Sequence, residues 1–467
     1  MADELAALRE LVESYRDRMV RDLQALVRIP SVAADPLPGA PYGAEVRKAL
    51  DAALALSRDL GFRTHDAGGH AGHAEFGAGR EMVAAIGHLD VVPAGGRWRH
   101  DPYSGQLEGG AVYGRGSADD KGPTIAALFA AKALMDSGLP ISRRVRVIFG
   151  CDEESGRFGC MRHYWEVEGH EKPTAAFTPD ARFPLIFAEK GICDLRLERP
   201  VGPQDAPLRV STLQGGQRPN MVPDLATARL EGTRAALYLA ACALQAHWDA
   251  NVTALIQPDA IVVRAVGKSA HASTPQSGDN AIARLARALL ALELPFDADW
   301  LRWVVRVSDP SGAGLGLQVV DEVTGHLTAN LGVAEMASGG IRATVNVRYP
   351  VSWTLATVLA RAEQAIAADH VSLTATMDNP PLHVPLDAEP ARTLLRVYRE
   401  ETGDFASEPA TMGGGTYARA IPNAVAFGAV LPGSSEGPAH EPDERFSVET
   451  LMRAASIYAR AFYELAR

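Results

Sequence analysis

The stretch VIFGCDEESG, residues 147–156, runs from an apolar segment straight into three carboxylates. Val147, Ile148 and Phe149 read as a buried strand. Asp152, Glu153 and Glu154 follow where that strand should leave the core. Adjacent acids repel one another, and partial burial makes each harder to ionise. A cluster of this kind at a strand end calls for positive charge close by.

The neighbouring sequence supplies more strands of the same type. EMVAAIGHLDVV (81–92) reads as a strand that stops at His88 and Asp90, and AAFTPDA (175–181) as one that ends at Asp180. Between them, GPTIAALFAAKALMDSG (122–138) has the Ala/Leu face of a helix closed by Gly138. Strands alternating with helices predict an α/β fold, a mixed and largely parallel sheet flanked by helices. In such sheets ligands bind beyond the carboxyl ends of the strands, where these histidines and acids lie.

From 192 to 382 the texture changes. LRLERP, IVVRAVG and IRATVNVRYP read as antiparallel hairpin strands, separated in part by the helical stretches AALYLAACALQAHW (235–248) and NAIARLARALLALEL (280–294). ARTLLRVYREETG then resumes as a helix and NAVAFGAVL as a strand. The last helix begins at Ser447 as N-cap, with Thr450 in its first turn. The expected organisation is a discontinuous catalytic domain, 1–191 and 383–467, with an α+β lid domain, 192–382, inserted into it. A chain of 467 residues is too long for one core.

Composition narrows the function. With 47% hydrophobic and 22% charged residues the chain is an ordinary globular protein. A net charge of −11 argues against nucleic acid or an anionic membrane as partner. No apolar run is long enough to span a bilayer. The N-terminal MADELAALRELVESY has acids from its third residue and a helical face of Leu5, Leu8, Val12 and Tyr15, unlike a signal peptide. Cys151, Cys160, Cys193 and Cys242 form no CxxC pair and are expected as reduced thiols in a cytoplasmic protein.

The polar residues that interrupt strand ends form one set: His88 and Asp90, Asp119 and Asp120 in SADDKG, Glu153 and Glu154, Asp180, and His440 in AHEPDE. Taken singly each is ordinary, a satisfied histidine or a helix-capping acid. Recurring at successive junctions that converge in space, they offer the imidazole and carboxylate ligands of zinc, cobalt or manganese. There is no HExxH pair.

In order, GHLDVVPAGGRW, YGRGSADDKGP, GCDEESG, TPDARFP and AHEPDE resemble the motifs of the dinuclear zinc metallopeptidases, the family of aminoacylase, carboxypeptidase G and acetylornithine deacetylase. GCDEESGRFGCMRHYWE and GGGTYAR resemble its peptidase V branch of Xaa-His, carnosine-type dipeptidases. The resemblance implies two zinc ions, with cobalt or manganese as substitutes. His88 and Asp180 would hold one ion, His440 and Glu154 the other, and Asp119 would bridge both. Asp90 would steady the His88 ring through its other nitrogen, as metal-bound histidines require. Glu153 would stay off the metals as general base. It also implies a cis peptide at Asp119–Asp120. Four positive charges against the three of Asp119, Asp180 and Glu154 leave room for one bridging hydroxide, the nucleophile a peptidase needs.

Within the insertion, GKSAHAS places His271 before a helix. Alone it is a loop histidine; the resemblance makes it the donor that stabilises the tetrahedral oxyanion. Asn220 in PNMVPD and Arg348 in NVRYP match substrate-contacting positions, Arg348 gripping a terminal carboxylate; by itself Arg348 is a strand-end surface arginine. The glycines of GGGTYAR, Gly414 and Gly415 among them, lack the GK[ST] ending of a phosphate loop and would let the backbone approach a small peptide. The expectation is a dipeptidase acting on small peptides with a free amino terminus, active as a single chain. An N-acyl amino acid deacylase of the same family is the alternative, and a non-hydrolytic metal-binding module a second.

Overall fold

The computed structural model describes residues 2–202, 206–246, 249–292, 298–337, 339–434 and 436–467. Trp248 and Leu294, the expected ends of two helical stretches, lie outside them; their helices are described as Arg234–Ala246 and Ala281–Leu290. The chain forms two compact units: residues 1–188, 382–411 and 415–467, and residues 189–381 with 412–414.

The first unit is built on a nine-stranded sheet. At its centre Arg144–Gly150, Met82–His88, Ala175–Thr178 and Ala424–Ala426 lie side by side and parallel, with His88 opposite Gly150 and Ala85 opposite Phe177. Parallel strands are covered on both faces, so they read as unbroken apolar runs; every residue of Met82–His88 is buried. The parallel part stops at these four strands. Ala71–Phe76 pairs antiparallel with Arg144–Gly150, and Arg63–Ala67 antiparallel with Ala71–Phe76, because the short turn between them leaves no length for a crossover helix.

Helix Gly122–Ser137 is buried nearly all round, packs against the C-terminal helix Val448–Ala466, and ends at Gly138 in the left-handed conformation, φ 64°. Ser447 caps the C-terminal helix, its hydroxyl accepting from Thr450 N at 3.0 Å. The N-terminal pattern is two helices, Ala2–Ser14 and Arg16–Val27. Leu8 and Val12 are buried in the core of this unit, with Leu5 and Tyr15 packed against it.

The second unit carries an eight-stranded sheet in which every described pairing is antiparallel. Along Gly191–Pro200, Cys193, Leu195 and Leu197 are buried while alternate residues are more exposed, the period of a half-covered sheet. The covering helices contribute Leu285, Trp300, Val304 and Val358 to the same core. Among the described residues no helix is long and apolar enough to cross a membrane. All four cysteines are free, Cys242 exposed and the others buried.

Candidate metal centre

Register explains why distant motifs meet. Gly150, His88 and Thr178 end three adjacent parallel strands, so the residues that follow emerge on one edge of the sheet. His88 is the last residue of its strand and is fully buried. Asp180 lies two residues past its own strand. Glu153 and Glu154 sit beyond Gly150 in a turn, where the backbone no longer sends neighbouring side chains to opposite faces.

Asp119 lies in the turn Ser117–Lys121, where Asp119 and Asp120 leave helical geometry and share a cis peptide bond. His440 comes from the loop before Arg445–Ser447 and has φ 65°, a left-handed conformation uncommon for a residue with a side chain.

Asp119 stands in the middle. Its Oδ1 lies 3.0 Å from His88 Nε2, and its Oδ2 lies 3.1 Å from His440 Nε2. Asp180 Oδ2 lies 3.9 Å from His88 Nε2, and Glu154 Oε2 lies 3.0 Å from His440 Nε2. Ligand-type atoms of His88, Glu153 and Asp180 lie within 4.8 Å of one another, as do those of His88, Asp119 and Glu154. All six side chains therefore come together.

The hold on His88 differs in one atom from the expectation. Its Nδ1 lies 2.9 Å from the main-chain carbonyl of Asp90 and 3.7 Å from the Asp90 carboxylate. That carboxylate instead accepts the main-chain N–H groups of Glu153, at 3.2 Å, and Glu154, at 3.0 Å. Two donors on the turn outcompete one ring nitrogen, so Asp90 fixes both the imidazole and the acidic turn.

Burial works against Glu153, Glu154 and Asp180, and the neighbouring acids add repulsion; all three hold their protons above the usual carboxylate range. Asp119 goes the other way: burial would raise it, but hydrogen bonds with His440 and His88 hold it well below. Burial would lower both histidines, yet hydrogen bonds to Asp119 and Glu154 push His440 up to about 11, and Asp119 and Asp180 hold His88 well above its ordinary value.

So many acids in one buried place need cations. Glu154 Oε1 is buried with no hydrogen-bond partner among the described residues. Two imidazoles and three carboxylates arranged about a shared aspartate fit two divalent ions of the zinc class.

The sequence reading assigns no separate role to three supporting residues. Glu444, fully buried, accepts from Ala118 N at 2.9 Å, Asp119 N at 3.1 Å, Gly116 N at 3.1 Å and Arg115 Nη1 at 2.6 Å. It pins the turn that carries Asp119. Asp120 accepts from His88 N at 3.2 Å and Thr124 Oγ1 at 3.0 Å. Tyr417, inside GGGTYAR, packs edge-on to the His88 ring and accepts Asp152 N at 3.1 Å. Glu444 ends the AHEPDE motif and Asp120 lies in SADDKG, so both were in view without a role.

His271, Asn220 and Arg348 belong to the second unit. His271 is exposed, its Nδ1 2.7 Å from Ser273 Oγ, and Ala272 N donates to Asn220 O at 2.9 Å, which sets the two candidates side by side. Arg348 is not a surface arginine: it is 4% exposed, with Nε donating to Asn346 Oδ1 at 2.7 Å and Nη1 to Gly413 O at 3.2 Å. A Cβ at Gly415 would lie 2.4 Å from the Arg419 guanidinium, whereas the nearest atoms to one at Gly414 would be those of Met412, at 3.5 Å and beyond.

The chain is similar to known proteins over nearly its whole length. A Bacillus subtilis (strain 168) protein named "Putative dipeptidase YtjP" is 38% identical over 469 residues, covering 98% of this chain and 99% of its own. Two solved structures share the fold over 99% of both chains: human carnosine dipeptidase 1, TM-score 0.57 at 15% identity, and the di-peptidase Dug1p of Saccharomyces cerevisiae, TM-score 0.59 at 13% identity. The family model that matches residues 84–464 spans every side chain of the cluster, and the chain belongs to peptidase family M20/M25/M40.

Proposed function

We propose that this chain is a cytoplasmic dipeptidase, acting on dipeptides with a free amino terminus and dependent on two divalent metal ions, zinc by preference. The observation that carries the reading is Asp119, whose two oxygens face the Nε2 atoms of two different histidines at 3.0 and 3.1 Å. A carboxylate in that position would bridge two ions, one held on each histidine's side. Asp180 would complete the His88 side, and Glu154 the His440 side. When bound, such a pair polarises the scissile carbonyl and brings the pKa of water into the neutral range.

The remaining work belongs to the protein. Glu153 takes the proton of the attacking water as the new C–O bond forms, and delivers it to the amine nitrogen as the C–N bond breaks. Asp90 keeps Glu153 in place through its main-chain N–H. Glu444 keeps Asp119 in place in the same manner. His271, with Asn220 beside it, donates to the developing oxyanion. Arg348, braced by Asn346, holds the peptide's terminal carboxylate. Gly414 leaves room for the peptide backbone. The relative named as a dipeptidase supports this substrate class.

A hydrolysis screen over dipeptides, tripeptides and N-acyl amino acids, with chelator and with zinc restored, tests the proposal. Dipeptides should be cut in a chelator-sensitive way and tripeptides refused. Preference for N-acyl amino acids would make the chain a deacylase. No turnover by the zinc-restored protein would make it a binding module.

A further inference from the structure

Five of the thirteen histidines, His65, His70, His73, His163 and His170, lie in one patch of the first unit, and none of them is a ligand proposed above. His65 is on the edge strand Arg63–Ala67 and His73 on its partner Ala71–Phe76. His163 opens the short helical turn His163–Val167, and Glu168 and His170 follow it. His65 Nε2 lies 2.9 Å from Glu168 Oε2, and His170 Nε2 lies 3.4 Å from the same oxygen. One ligand-type atom from each of the three residues falls within 4.8 Å of the other two.

We infer that His65, Glu168 and His170 form a third metal site, separate from the catalytic cluster, for a borderline divalent cation such as zinc. Two imidazole nitrogens and one carboxylate oxygen are a zinc donor set, with water left to fill the fourth position. Calcium and magnesium would want oxygens throughout.

Ordinary hydrogen bonding leaves this cluster unsatisfied. His170 Nε2 is buried and makes no hydrogen bond among the described residues, although Glu168 is 3.4 Å away. The one carboxylate oxygen is taken by His65. A cation would use all three atoms at once. Zinc–ligand distances of about 2.0 Å put tetrahedral ligands about 3.3 Å apart, so His65 and Glu168 need to separate by only a few tenths of an ångström.

Glu168 and His170 close the excursion between Gly150 and Ala175 that carries Glu153 and Glu154. An ion here would tie that excursion to the sheet edge at His65. It is a structural staple, and its loss would not remove a catalytic group.

The test is zinc content after equilibrium dialysis of the full chain at fixed free zinc. The wild type should hold about one ion per chain more than the folded His65→Ala/His170→Ala variant, and both should turn over substrate at the same rate when zinc is saturating. Equal zinc contents would overturn the site. Labelling of the wild type with diethyl pyrocarbonate decides independently of how the variant folds. Zinc should slow modification of His65, and an unchanged rate at saturating zinc would overturn the assignment.

Discussion

Glu153 and Glu154 are neighbours of the same type with different surroundings, and their difference is testable. Glu154 faces His440 at 3.0 Å, as a ligand should. Glu153 keeps the same length and shape as Gln but loses the ability to carry a proton. Glu153→Gln should therefore keep its metal and its fold while kcat falls by about 10²–10⁴-fold. Glu154→Gln should lose metal first, seen as a higher zinc concentration needed for half-maximal activity. Exchanged phenotypes, read by zinc content beside kcat, would reverse the two roles. Gly87 is a second residue whose identity is dictated by space. A Cβ there would sit 2.0 Å from Thr124 Oγ1 and 2.7 Å from Asp120 Oδ2, the pair that supports His88 from below. Gly87→Ala should lower stability by about 1–3 kcal/mol, the usual cost of overpacking, and weaken zinc binding in the same titration.

At the scale of elements, the antiparallel edge of the first sheet holds a buried polar chain. Glu75 accepts from Arg146, Arg146 Nη1 donates to Tyr164 Oη at 3.0 Å, and Tyr164 Oη donates to His73 Nδ1 at 2.6 Å. Burial, reinforced by Arg146 and the neighbouring histidines, pushes His73 down to about 2, against about 6.5 in an unfolded chain. Between those values the unfolded chain takes up a proton that the folded one refuses. The His73 contribution is intact above pH about 6.5 and is lost as the pH falls toward 2, at about 1.4 kcal/mol per pH unit. Urea unfolding of the wild type and of His73→Gln from pH 7.5 to 5 should show this slope in the wild type and a flatter one in the variant; parallel slopes would contradict the assignment.

The elements also show what periodicity could reveal. EMVAAIGHLDVV and VIFGCDEESG stand out because an apolar run breaks at a charged residue, and the structure ends those strands at His88 and Gly150. The antiparallel flank was less visible. Arg63–Ala67 and Ala71–Phe76 carry His65, His73 and Glu75, whose polar side chains break the apolar run expected of a buried strand. Glu444 and Asp120 gave no pattern either, since satisfying backbone N–H groups demands a position in space and no spacing in sequence. The reverse held for Arg348: NVRYP looks like a strand end reaching solvent, and burial against Asn346 and Gly413 is a property of the folded unit alone.

For the whole molecule, the proposal is that one chain carries a complete site, with His271 supplied by its own second unit. An inactive His271→Ala chain mixed with an inactive Glu153→Gln chain should then stay inactive, and sedimentation of the wild type should show a turning-over species of monomer mass. Activity on mixing would mean that each site borrows its histidine from a partner. Beneath this lies the central claim, that Asp119 bridges two metal ions. Anomalous diffraction above and below the zinc edge, from zinc-loaded crystals, tests it most directly. Two peaks should flank Asp119, one bounded by His88 and Asp180 and the other by His440 and Glu154. A single peak at this cluster, or zinc bound without either Asp119 oxygen, would contradict the account.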